Sequence, residues 1–211
     1  MKTEAVIFDL DGVIVSTDGY HYKAWKSIAD LEGIYFDEVI NNRLRGVSRM
    51  ESLDIILEQA ANNYSAYEKQ ALADQKNATY VGLLKDLTPA DILADVELVL
   101  SELKNKGIKI AIGSSSKNAR FILRQIGLTD LFDAIADGND ISRSKPFPDV
   151  FIKAAEKLAV DPANCIVVED AVAGIVAAKR AGMAAAAVGD AKQSPEADYR
   201  LESLKDLLLL L

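Results

Sequence analysis

Nine residues near the start of the chain, Val6-Ile7-Phe8-Asp9-Leu10-Asp11-Gly12-Val13-Ile14, constrain its fold more than any other stretch. An apolar run this short, bounded by acids and a glycine, predicts a buried parallel strand that ends at Asp9. In open α/β sheets, ligands collect beyond the carboxyl ends of the strands, so Asp9 and Asp11 stand where chemistry is expected. Two carboxylates one residue apart repel unless a cation, a shared proton or separate roles accommodate them. Alone, Asp-x-Asp-Gly is often no more than a solvated turn. A calcium loop fits less well, because it wants a third Asp or Asn where Val13 sits.

After this strand the pattern changes. From Asp18 to about Lys85 helical periodicity dominates, as in Tyr22, Trp25, Ile28 and Ala29 or Leu72, Lys76, Tyr80 and Leu83. No β-rich run interrupts them, which predicts a helical insertion, a cap over residues 16–87, on a core made of 1–15 and 88–211. Within the insertion, Arg43-Leu44-Arg45-Gly46-Val47-Ser48-Arg49 gathers three arginines around a glycine. It reads either as a solvated basic loop or as an anion clamp, since Arg forks onto phosphate and glycine admits a ligand close to the backbone.

The strand-then-helix rhythm resumes after Thr88-Pro89-Ala90-Asp91. A helix over 94–106 stops at Gly107, and residues 108–112 form the second buried strand. Its end, Gly113-Ser114-Ser115-Ser116-Lys117-Asn118, opens a helix over 119–126; hydroxyls and free amides there make either a phosphate cradle or an ordinary cap. Residues 133–136 are a short third strand, followed by the loop Ser144-Lys145-Pro146. A helix over 149–158 leads to strand 165–168, which ends in a second carboxylate pair, Glu169-Asp170. Residues 171–181 are helical and 183–188 make a fifth strand. The prediction is an α/β fold: a Rossmann-like doubly wound parallel sheet carrying an inserted α-helical cap.

Composition removes several chemistries. One His and one Cys among 211 residues exclude a His-rich zinc site and an intrachain disulfide. Cys165, beside Ile166 and Val167, reads as a buried strand residue. A net charge of −8 argues against a nucleic-acid groove. The longest apolar runs are too short to span a bilayer, and no leader precedes the first strand, so neither membrane insertion nor secretion is expected.

Parallel topology brings Asp9, Asp11, Ser114, Lys145, Glu169 and Asp170 to one sheet edge. Four acids with one lysine demand a hard cation, and oxygen-only ligands point to Mg²⁺. Acids, Mg²⁺ and a phosphate cradle together indicate phosphoryl transfer.

These four core motifs resemble the haloacid dehalogenase superfamily of phosphotransferases. Further stretches, Tyr20-His21, Ala24-Trp25, Gly46-Val47-Ser48-Arg49, Lys76-Asn77, Ser116-Lys117-Asn118 and Phe132-Asp133-Ala134-Ile135-Ala136-Asp137, are similar to its mutases of β-glucose 1-phosphate. The resemblance implies an isomerase acting through a sugar bisphosphate, with a sugar-phosphate phosphatase as the alternative. It implies Asp9 as nucleophile, Asp11 as general acid and base, and Ser114 and Lys145 on the transferring phosphoryl group. Mg²⁺ would be held by Asp9, the Asp11 carbonyl and Asp170, with Glu169 as a ligand or close support. Arg49, Ser116, Lys117 and Asn118 would hold the far phosphate, Gly46 and Val47 would touch the sugar, and Arg45 and Ser48 would also bind substrate. Thr17, His21 and Lys76 would couple cap closure to the placement of Asp11. A cytoplasmic monomer acting on small sugar phosphates is implied too. Two positions depart from the pattern: Arg45 stands where Lys is usual, and Ala171 where a Ser often follows the Glu-Asp pair.

Overall fold

A computed structural model describes residues 2–44 and 47–211. Arg45 and Gly46, both expected near the sugar, lie outside the described residues.

Among the described residues, six parallel strands form one sheet in the order β3-β2-β1-β4-β5-β6. They are β1 (Ala5–Phe8), β2 (Lys109–Gly113), β3 (Ala134–Ala136), β4 (Cys165–Glu169), β5 (Ala184–Ala187) and β6 (Tyr199–Arg200). Five of these match the strands expected from sequence; β6 is an addition, two residues long and therefore without a periodic signature. β1 is central, with Phe8 level with Ile112 on one side and Val168 on the other. The chain fills one half of the sheet through β3, then returns to build the other half from β4. A crevice therefore opens between the ends of β1 and β4, where a doubly wound sheet binds its ligand.

Alternation along β1 divides the core. Val6 and Phe8 join the apolar layer containing Val99, Leu100 and Ile122, from α5 (Val96–Asn105) and α6 (Ala119–Gln125). Ala5 and Ile7 join the opposite layer with Phe151, Ala154 and Ile175, from α7 (Asp149–Leu158) and α8 (Val172–Arg180). Cys165 sits in this second layer, and its burial raises the thiol pKa to about 11.

Between β1 and α5 the described residues form four α-helices: α1 (Asp18–Leu31), α2 (Glu38–Asn42), α3 (Arg49–Leu57) and α4 (Ala66–Leu83). The five-residue α2 was not legible as a helix. Trp25, Ile28, Phe36, Leu53, Ile56, Leu72 and Ala73 form an apolar cluster of their own, separate from the two sheet layers. This is the inserted cap. Capping boxes, Ser48 with Glu51 and Ser65 with Glu68, fix where α3 and α4 begin. Along α4 the buried stripe is Leu72, Ala73, Lys76 and Tyr80, so one lysine stands where a core residue is expected.

Candidate active site

β1 ends at Phe8, and hydrogen bonding of the Asp9 amide to the Val168 carbonyl at 2.9 Å holds the next residue against β4. Asp9 is thereby fixed beside Glu169 at the same sheet edge. Between them lies Lys145, whose ammonium is 2.5 Å from Asp9 Oδ1 and also donates to Glu169 Oε1. The amine is 4.9 Å from the centre of the Phe151 ring, and the residue is only 4% exposed. Burial pushes the lysine pKa down, but the charges of Asp9 and Glu169 outweigh it and hold the group well above its ordinary value. A buried ammonium persists here because it is paired twice.

Glu169 is packed tightly. Its Oε2 accepts from the Ala171 amide at 3.0 Å, and a Cβ on Gly174 would lie 1.9 Å from its carboxyl carbon. Burial raises its pKa despite Lys145. Asp170 is raised to about 8, by burial first and then by the charges of Glu169, Asp9 and Asp11. Gly12, at φ +84°, gives this carboxylate room: a Cβ there would stand 2.1 Å from Asp170 Oδ2.

Asp9, Glu169 and Asp170 each offer a carboxylate oxygen within 4.8 Å of the others. Three acids of which two have raised pKa values, with one shared lysine, are a donor set that a divalent cation satisfies. The residues fit a hard metal ion.

Asp11 is held differently. The Thr17 amide donates to its Oδ1 at 2.7 Å, and the Thr17 hydroxyl donates to Oδ2. Thr17 is fully buried and lies 2.8 Å from the Tyr80 hydroxyl, so it reaches Asp11 without facing the cavity. Burial raises the Asp11 pKa to about 6 in spite of these hydrogen bonds. His21 Nε2 is 3.8 Å from Asp11 Oδ2, and its Nδ1 is 2.8 Å from Lys76 Nζ. While Lys76 is an ammonium it can only donate, so the His21 proton resides on Nε2, facing Asp11. Burial lowers Lys76 to about 7, helped by the Arg49 charge, and its amine lies 4.4 Å from the Tyr80 ring centre and 4.8 Å from that of Trp25. His21 is pushed well below its ordinary pKa by burial and by those same cations.

The loop after β2 supplies polar atoms. Ser114 is buried, with its amide on the Ala136 carbonyl at 3.1 Å, and its hydroxyl accepts from the Ser116 amide at 3.2 Å. The Ser116 hydroxyl accepts in turn from the Asn118 amide at 3.2 Å. Asn118 occupies the N-cap of α6, yet its side chain makes no capping hydrogen bond.

One cavity of about 750 Å³ between cap and core is lined by Asp9, Asp11, Ser114, Lys145, Glu169 and Asp170. The same cavity is lined by His21, Val47, Ser48, Arg49, Lys76, Ser116, Lys117 and Asn118. Every described candidate from the sequence faces it except Thr17. Ser48 does so while its hydroxyl caps α3, accepting from the Glu51 amide at 3.3 Å. Trp25, Asn77 and Tyr80 also line the cavity. Asn77 was visible only as part of the Lys76-Asn77 pair, and Tyr80 only as a helix-core position.

Comparison with known proteins identifies the family. The family described as "Hydrolase: haloacid dehalogenase-like hydrolase" matches residues 3–182. A β-phosphoglucomutase of Bacillus subtilis is 47% identical over 208 residues, 98% of this chain and 92% of the relative. A phosphorylated carbohydrates phosphatase of Thermotoga maritima is 32% identical over 85% of this chain and 82% of its own length. The crystal structure of a β-phosphoglucomutase from Clostridium difficile superposes with a TM-score of 0.91 at 43% identity, covering 97% of this chain and 93% of that one. The family match spans most of the chain, and the chain belongs to the haloacid dehalogenase-like hydrolase family.

Proposed function

We propose that the chain is a β-phosphoglucomutase, interconverting β-D-glucose 1-phosphate and glucose 6-phosphate through glucose 1,6-bisphosphate. One observation carries this reading. A single cavity is lined both by the Asp9–Lys145–Ser114 group and by Arg49, Ser116, Lys117 and Asn118. A mutase must hold a second phosphate while the first reacts. The B. subtilis and C. difficile β-phosphoglucomutases are the relatives that support it.

In the proposed reaction Asp9 attacks phosphorus and the bond to the sugar oxygen breaks, leaving an aspartyl phosphate. Asp11 gives its proton to the leaving oxygen and recovers one from the hydroxyl that attacks in the return step. A carboxyl pKa of about 6 suits both directions near neutral pH. Lys145 and Ser114 bind the transferring group. The carboxylates of Asp9 and Asp170 and the Asp11 carbonyl, supported by Glu169, would hold Mg²⁺, which neutralises phosphoryl charge when bound. Thr17, His21 and Lys76 join Asp11 to the cap and tie its placement to cap closure. Arg49 with Ser116, Lys117 and Asn118 binds the far phosphate, while Val47 borders the sugar and Ser48 adds to substrate binding. We take 1–15 and 88–211 as the catalytic core and 16–87 as the cap of a cytoplasmic monomer.

A phosphatase acting on small sugar phosphates is the second reading, favoured by the T. maritima relative. The two separate when the protein is incubated with Mg²⁺, β-glucose 1-phosphate and a trace of glucose 1,6-bisphosphate. Glucose 6-phosphate in large excess over free phosphate is the expected outcome. Stoichiometric free phosphate without glucose 6-phosphate would establish the phosphatase instead.

A further inference from the structure

We infer that Asn77 is a positioning residue for the far-phosphate site, holding Arg49 of the cap and Asn118 of the core in register through one shared acceptor. The inference rests on the reading of Arg49 and Asn118 as phosphate-binding residues. Asn77 Oδ1 accepts from an Arg49 terminal nitrogen at 2.8 Å and from Asn118 Nδ2 at 3.0 Å. These partners come from three separate places in the fold: the first turn of α3, the middle of α4 and the residue before α6.

Chemistry fixes the direction of both bonds. A guanidinium has donors only, so the oxygen of Asn77 faces Arg49. Asn118 must then present its NH₂ to that oxygen. An N-cap asparagine ordinarily turns its oxygen onto the first amides of its own helix, and Asn118 makes no such bond. Its side chain is committed across the cleft instead. Arg49, for its part, enters α3 immediately after the Ser48–Glu51 capping box, which fixes its backbone. What remains adjustable is the side chain, and Asn77 holds it.

The neutral amide matters. A carboxylate at position 77 would pair with the guanidinium and compete with an incoming phosphate. Asn77 orients Arg49 through one terminal nitrogen and adds no further negative charge to that of Asp74, which already acts on the guanidinium. Two donors from opposite walls converge on one oxygen, so cap and core meet the far phosphate as a unit. A substrate with no far phosphate makes no use of this arrangement.

The test compares two-ended and one-ended ligands. Trp25 is the single tryptophan and lines the cavity, so its emission reports glucose 6-phosphate binding in the presence of Mg²⁺. Asn77→Ala is expected to weaken glucose 6-phosphate at least tenfold, while kcat/KM for hydrolysis of acetyl phosphate falls less than threefold. In double variants with Arg49→Ala, the loss is expected to be no greater than that of Arg49→Ala alone. Asn77→Asp, which keeps the acceptor and adds a charge, is expected to weaken glucose 6-phosphate as well. Equal losses for both ligands, or additive losses in the double variant, overturn the inference. Wild-type protein that binds glucose 6-phosphate but converts none of it would refute the mutase reading alone, since the binding ratios still decide the role of Asn77.

Discussion

Lys145 and Asp9, 136 residues apart in sequence, meet as a buried ion pair 2.5 Å long, and the same ammonium also serves Glu169. One cation thus compensates two carboxylates that would otherwise repel each other at the end of the sheet. Breaking such a pair from one side leaves uncompensated buried charge and costs about 3–5 kcal/mol. Lys145→Met should lower folding stability by that order, measured by urea denaturation. Glu169 already has a raised pKa. It takes up a proton as the pH falls, so the loss should be smaller at pH 5 than at pH 8. Turnover should fall by two orders of magnitude or more, as for a lost phosphoryl-oxygen donor. A variant as stable and active as wild type would remove Lys145 from both roles.

Gly174 sets the position of Glu169. It lies inside α8, where alanine is intrinsically favoured by about 1 kcal/mol, so Gly174→Ala ought to stabilise the helix. Its Cβ, however, would stand 1.9 to 2.4 Å from the Glu169 carboxylate atoms. The carboxylate must move, and the half-saturating Mg²⁺ concentration should rise roughly 10–100-fold, as for loss of a supporting contact. Calorimetric titration with Mg²⁺ checks this. Unchanged affinity would place Glu169 outside the metal site.

Most of the catalytic edge was legible because period and position encode it. Short apolar runs ending in Asp9, in Ser114 and in Glu169-Asp170 mark strand ends, and parallel strands gather those ends automatically. Asn77 and Gly174 carry no such mark. Asn77 is one more polar residue on a helix, and its meaning lies in partners 28 and 41 positions away. The role of Gly174 is the absence of a Cβ beside a carboxylate from the preceding strand. Thr17 shows a third limit: only the family resemblance pointed to it, and only the fold shows that it reaches Asp11 from behind the cavity wall. Ser48-x-x-Glu51 was a readable capping box that the arginine cluster around it obscured.

Metal binding should be linked to pH through Asp170. Its pKa is about 8 in the folded chain against 3.8 for an unperturbed carboxyl. The folded state therefore binds more protons across that interval. The associated stability is complete below pH 3.8 and is lost as the pH rises through about 8. Mg²⁺ displaces the proton and relieves the repulsion, so the gain in Tm from saturating Mg²⁺ should be larger at pH 8 than at pH 5.5. Asp170→Asn should flatten the difference. A gain that instead shrinks with rising pH would contradict the assignment of Asp170 to the metal.

Arg49 decides between the two proposed reactions. It is half-buried, and burial lowers its pKa, so its charge is partly stripped of water before any substrate arrives. Its guanidinium donates to the neutral Asn77 at 2.8 Å, and the charge of Asp74 offsets part of the burial cost. A mutase needs a second anion site because its intermediate carries a phosphate at each end and must be accepted in either orientation. A monophosphatase has one phosphate to bind, and the Lys145 and Ser114 side of the cavity is the site proposed for it. Removing a desolvated, charge-assisted contact costs about 2–5 kcal/mol. Arg49→Ala should therefore cut glucose 6-phosphate formation by roughly two to three orders of magnitude. Hydrolysis of acetyl phosphate, which has no far group, should fall much less. If both activities dropped together, Arg49 would be supporting the cap or the reacting centre. If neither changed, the far-phosphate site would be misassigned, and the phosphatase reading would take precedence.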